Sequence, residues 1–159
     1  MPEAGTQYPS TVPLTGNETA PFDTNLTQGQ NPASEAISVS QLAMPTLNTA
    51  VNTTAFTATV AQIAGNGEVI LNLTGTLGAG AAITMPTAAQ IFAAQPVGRQ
   101  WTLRILNNSS GAFAWTVTMG TGDSLTGSAA VAQNTYADYV VTVTSPTTVT
   151  FVRVGSGTN

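Results

Sequence analysis

Seven carboxylates, Glu3, Glu18, Asp23, Glu35, Glu68, Asp123 and Asp138, carry most of the acid–base chemistry that this 159-residue chain offers. Two of them facing each other across a sugar would suffice for glycoside hydrolysis. Four of the seven, however, fall within the first 36 residues, and the other three are dispersed between turns and strand edges. Serine and threonine are plentiful, but a hydroxyl nucleophile needs a base such as His or Lys, and the chain has neither. Cysteine is absent too, which removes the thiolate nucleophile and, with His, the usual transition-metal ligands. Asp123 with neighbouring carbonyls has the hard oxygens that calcium prefers, yet one carboxylate is thin support for a site. Gly78-Ala79-Gly80 and Gly120-Thr121-Gly122 lack the remaining residues of a phosphate loop and read as turns. The expectation is a protein that is not an enzyme, with no cofactor and no metal.

Charge narrows the partners further. The formal net charge is −4, and only 6% of residues are charged. Three cations, Arg99, Arg104 and Arg153, make no basic patch, so nucleic acid is not expected as a partner. Nor is a membrane, since no run approaches the roughly 20 apolar residues of a spanning helix. The opening Met1-Pro2-Glu3-Ala4-Gly5 has no basic and apolar regions of a signal peptide, which predicts synthesis and solubility in the cytoplasm. A surface of Thr, Ala, Gly and Asn costs little to desolvate and suits large permanent interfaces.

The elements that must position these groups change in texture near residue 45. Six of the nine prolines, Pro2, Pro9, Pro13, Pro21, Pro32 and Pro45, fall in the first part. Its larger apolar residues are few: Tyr8, Val12, Leu14, Phe22 and Leu26, then Ile37, Val39 and Leu42. Such a segment cannot offset its ordering entropy with a core of its own. Residues 1–45 therefore read as an extended N-terminal arm, with those eight side chains as its partner-binding contacts.

Residues 46–159 alternate with a period of two. Val69, Leu71 and Leu73 share a face, as do Trp101, Leu103 and Ile105. Phe113, Trp115, Val117 and Met119 form a third set, and Tyr139, Val141 and Val143 a fourth. Gly- and Asn-rich turns separate them. Only Pro86–Gln95 looks helical, with Pro86 suited to a first turn and Pro96 to a stop. The pattern predicts an all-β domain, an antiparallel β-sandwich or jelly roll with one short helix. Most aromatic residues alternate with polar ones as core positions do. Tyr136 sits outside the clear alternation, and with Asn108 and Asp123 it marks a candidate exposed ligand loop.

Two stretches carry a resemblance. Pro13-Leu14-Thr15-Gly16-Asn17-Glu18-Thr19, Phe22-Asp23-Thr24, Asn31-Pro32 and Glu35-Ala36-Ile37-Ser38-Val39-Ser40-Gln41-Leu42-Ala43 resemble the short N-terminal module of tailed-bacteriophage structural proteins. Ile83-Thr84-Met85-Pro86-Thr87-Ala88, Leu103-Arg104-Ile105-Leu106-Asn107, Leu125-Thr126-Gly127, Ala132-Gln133-Asn134-Thr135 and Thr144-Ser145-Pro146-Thr147-Thr148-Val149-Thr150 are similar to β-domains of phage decoration, head-fibre and tail-fibre proteins. The resemblance implies a β-sandwich, often a homotrimer, with an arm gripping the particle. Long tail fibres carry coiled-coil or β-helical shafts, and no such shaft is read in this chain, which favours a capsid cement or decoration protein. Its partner would then be the major capsid protein and its place the outer capsid surface of the virion, after synthesis in the host cytoplasm. The alternative is a short head or tail fibre that attaches to a host glycan.

Overall fold

The computed structural model of the protein describes residues 45–159. The arm assigned to residues 1–45, with contacts at Tyr8, Val12, Leu14, Phe22, Leu26, Ile37, Val39 and Leu42, lies outside the described residues except for Pro45.

Among the described residues the chain forms ten strands and two short helices. In order these are β1 (Thr46–Val51), β2 (Phe56–Thr57), α1 (Val60–Ile63), β3 (Glu68–Thr74), β4 (Ala81–Thr84) and α2 (Ala88–Ala94). There follow β5 (Gln100–Asn107), β6 (Trp115–Thr118), β7 (Asp123–Thr126), β8 (Ala130–Val131), β9 (Thr135–Ser145) and β10 (Thr148–Thr158). A six-stranded sheet runs β1-β3-β5-β9-β10-β7, and a four-stranded sheet runs β2-β4-β6-β8. Neither helix is long and apolar enough to cross a membrane.

The all-β expectation matches this architecture, but the pairing differs from an antiparallel sandwich. Five of the eight strand pairs are parallel: β1 with β3, β3 with β5, β2 with β4, β4 with β6, and β7 with β10. From β1 to β6 the chain alternates between the sheets, so successive strands of each sheet stack as parallel coils. Thr46 pairs with Val69, and Val69 with Leu103, so the first coil takes 23 residues and the second 34. The helices α1 and α2 sit in the returns to the larger sheet and make the coil lengths unequal. Two-residue alternation is identical in parallel and antiparallel strands, and uneven coils leave no sequence repeat. Antiparallel order enters only at the end, where β9 and β10 form a hairpin closed by Pro146 and Thr147, β9 joins β5, and β8 joins β6.

The inward faces follow the alternation. Val69, Leu71 and Leu73 of β3, Leu103 and Ile105 of β5, and Tyr139, Val141 and Val143 of β9 are fully buried. Ile83, Trp115, Val117 and Val131 approach from the smaller sheet and join the same core. Phe113 departs from the expected set: β6 begins only at Trp115, and the Phe113 ring is exposed. The two tryptophans bury their rings while satisfying their N–H groups, Trp101 on the Ile63 carbonyl at 2.7 Å and Trp115 on the Ser109 hydroxyl at 2.9 Å.

The helix expected at Pro86–Gln95 is α2. Thr87 caps it by accepting from the Gln90 N–H at 3.3 Å, while the Gln90 side chain accepts from the Thr87 N–H at 2.9 Å. It buries Ala88 and Ile91 and lies against β9 and β10. The second helix, α1, was not expected, because one turn is too short to show a helical period.

Candidate interaction surface

The outer face of the six-stranded sheet gathers half of the charges among the described residues. Cross-strand register places Leu47, Ile70, Arg104, Asp138 and Gly155 in one row. Thr49, Asn72, Leu106, Tyr136 and Gly157 form the next. A charge in a strand interior needs a partner within reach, and directly opposed residues provide it.

Arg104 is that charge. Its Nε and Nη2 donate to the two carboxylate oxygens of Asp138 at 2.7 and 2.9 Å. Its Nη1 lies 3.5 Å from Glu68, and its guanidinium stacks 4.7 Å from the Tyr136 ring centroid. The Asp138 hydrogen bonds, with the fields of Asp138, Glu68 and Tyr136, raise the arginine pKa against a smaller opposing effect of desolvation. The group therefore stays cationic, and the forked contact fixes Asp138 in place. Chemically this is a locked ion pair on a sheet face. Sequence reading missed it, although opposite charges inside the apolar strands Leu103–Ile105 and Ala137–Tyr139 were a usable signal.

Around that cluster the face is apolar and poor in charge. Leu47 and Val51 are 62% and 75% exposed on β1, the edge strand, and Val152 and Val154 are exposed on β10. The outer edge of β1 has no neighbouring strand among the described residues. An unpaired edge with exposed apolar side chains is a template for association.

The three residues of the candidate ligand loop do not form one site. Asn108 and Tyr136 lie near the same end of the larger sheet: Asn108 donates to Asn72 Oδ1 at 2.8 Å and accepts from Asn159 Nδ2 at 2.9 Å. Tyr136 pairs with Gly157, whose missing side chain leaves room for the ring. Asp123 instead pairs with Val149, eight residues earlier on β10, about 26 Å away at a strand's rise per residue. Tyr136 is only half-buried, and Arg104 covers its ring.

Asp123 is unusual by itself. Both carboxylate oxygens are shielded from water and have no hydrogen-bond partner among the described residues. Burial raises its pKa from 3.8 to about 7, and the Gly120 amide, outside hydrogen-bond geometry, opposes that only in part. Among the described residues no three His, Cys, Asp or Glu side chains group as metal ligands do.

Asn107 organises the turn behind this face. Fully buried, its amide donates to the carbonyls of Phe113 and Val131 at 3.2 and 3.0 Å, and its oxygen accepts from the Ser109 N–H. The Asn107–Gly111 turn is thus anchored into the core at its first residue. No protein-family model, curated protein or solved structure is detectably similar to this chain.

Proposed function

We propose that the protein is a non-enzymatic cement or decoration protein of a tailed-phage capsid, binding the outer surface of the major capsid protein shell as a homotrimer. In this reading the two-sheet body is the sandwich-type domain of such proteins, and residues 1–45 are the arm that runs over the shell. The observation that carries it is the outer face of the six-stranded sheet. Leu47 and Val51 stand exposed on β1, whose outer edge has no neighbouring strand among the described residues, and Pro45, the last residue of the arm, directly precedes β1 in the chain. An apolar, charge-poor edge on the strand that follows the arm in sequence suits bivalent attachment, in which two weak contacts act jointly through high effective concentration. Of the few charges near it, Arg104 and Asp138 compensate each other and Glu68 lies against the same guanidinium, so the cluster carries a net charge of only −1 for docking to desolvate.

Deleting residues 1–40 tests the reading. Particle occupancy is expected to fall to background while the body keeps its circular dichroism and melting temperature. Full occupancy of capsids by the truncated protein would overturn it.

A further inference from the structure

At the open end of the β9–β10 hairpin, residues of β8, β9 and β10 line an open cleft of about 470 Å³. That volume falls within the range of small-ligand sites. Ser128, Thr135, Arg153, Ser156 and Thr158 supply its polar walls, with alanine and glycine between them. A register shift between Arg153 and Gly155 sets which side chains enter. Arg153 pairs with Tyr139, and Ser156 with Ala137, both inward-facing residues, whereas Gly155 and Gly157 pair with the outward Asp138 and Tyr136.

Arg153 is held but not neutralised. Its Nη1 donates to the carbonyl oxygens of Ser128 at 3.0 Å and Ala130 at 2.7 Å. Both ion pairs among the described residues belong to Arg104, and none to Arg153. The Nε and Nη2 edge of Arg153 meets no acceptor among the described residues, and the Ser156 and Thr158 hydroxyls have no partner there either. That open edge is the one Arg104 uses to grip both oxygens of Asp138. A guanidinium edge aimed by carbonyls and left vacant matches a carboxylate in plane and spacing.

We propose that this cleft binds the carboxylate of an acidic saccharide. The carboxylate would sit on the Arg153 Nε–Nη2 edge, and ring hydroxyls would meet Ser156 and Thr158. A single cation suits a singly charged group; a phosphate dianion would call for a second cation, and none lines the cleft. Hydroxyls, carbonyls and small side chains suit a polyhydroxylated ligand better than an apolar one. This site is independent of the capsid reading and stands or falls separately.

The test is an amide-shift NMR titration of the full chain with D-glucuronate, run beside D-glucose and inorganic phosphate. Glucuronate is expected to shift the amides of Ala130 and Ser156–Thr158 and to saturate with a dissociation constant of about 1–10 mM. Glucose and phosphate are expected to bind at least about tenfold more weakly. Arg153→Gln and Ser156→Val should each weaken glucuronate binding about tenfold or more. Arg153→Lys keeps the charge, loses the planar edge, and should fall nearly as far. If Arg153→Gln does not fold, Ser156→Val carries the test, because the Ser156 hydroxyl has no hydrogen bond to lose among the described residues. No saturation by glucuronate, an equal response to glucose, tighter binding of phosphate, or undiminished affinity in Ser156→Val would each overturn the proposal.

Discussion

Arg104 and Asp138 are direct partners across the β5–β9 pair, joined by two parallel hydrogen bonds of 2.7 and 2.9 Å. The contact lies on the outer face of the sheet, with the arginine side chain 34% exposed and the aspartate 15%. It joins two central strands of the larger sheet and is braced by Tyr136 and Glu68. A forked, partly shielded pair is stronger than an ordinary surface ion pair.

Arg104→Ala is expected to destabilise the fold by about 1–2 kcal/mol, since a charge-assisted pair and a ring contact are lost together. Arg104→Lys should cost a similar amount, because an ammonium cannot span both oxygens. Urea melts of the single variants and of the Arg104→Ala/Asp138→Ala double variant check this. A coupling energy near zero in that cycle would contradict the assignment.

Asp123 makes stability depend on pH in the unusual direction for a carboxylate. Its folded pKa of about 7 exceeds its ordinary 3.8, so the folded state holds the proton more tightly. That contribution is complete below the unfolded value and is lost as pH rises from about 4 through about 7. Asp123→Asn removes the slope and is expected to stabilise the protein at pH 8 by about 1–2 kcal/mol, a range reduced for the partly exposed setting. Thermal melts of both proteins from pH 4 to pH 8 provide the comparison (about 4 and about 8 bracket the transition). A wild-type stability that rises over this window relative to Asp123→Asn would refute it.

Gly122 has φ +86° beside β7, and a Cβ there would overlap the Thr147 carbonyl oxygen. Gly122→Ala should cost about 1–3 kcal/mol through backbone strain and collision at the β9–β10 turn. Gly78 offers the control, as a Cβ there meets nothing within 4 Å. Gly78→Ala is expected to leave the melting temperature within about 2 °C of the parent, or to raise it.

Leu47→Glu with Val51→Lys tests the exposed edge of β1. Both side chains already face solvent, so the fold is expected to lose under about 0.5 kcal/mol. Charges on an open edge oppose strand addition. Sedimentation and particle-binding assays should show loss of self-association and of capsid occupancy. Retention of both by the folded variant would remove this edge from the proposed interface.

Much of the body was legible in the sequence because alternation records burial directly. Val69, Leu71, Leu73, Leu103, Ile105, Tyr139, Val141 and Val143 were placed on inward faces, and they are buried. The helix α2 was legible as well, since Pro86, Thr87 and Gln90 carry its capping chemistry locally. Partner choice between strands was not legible. Hydrogen bonds between β1, β3 and β5 join residues 23 or 34 apart, and nothing in a period of two distinguishes parallel from antiparallel neighbours.

The candidate sites divide along the same line. Tyr136, Asn108 and Asp123 share only local properties, a place at a turn or outside the alternation. The separation of Asp123 from Tyr136 along β10 is a matter of register, and only the folded sheet sets it. Local sequence determined the scarcity of charge, the faces of the strands and the capped helix, because those depend on neighbours within a few residues. The tertiary structure decided the rest. It brought Arg104 to Asp138, left Asp123 without a hydrogen-bond partner among the described residues, and set Arg153 in the wall of a cleft, because each depends on which distant strands meet and in what register.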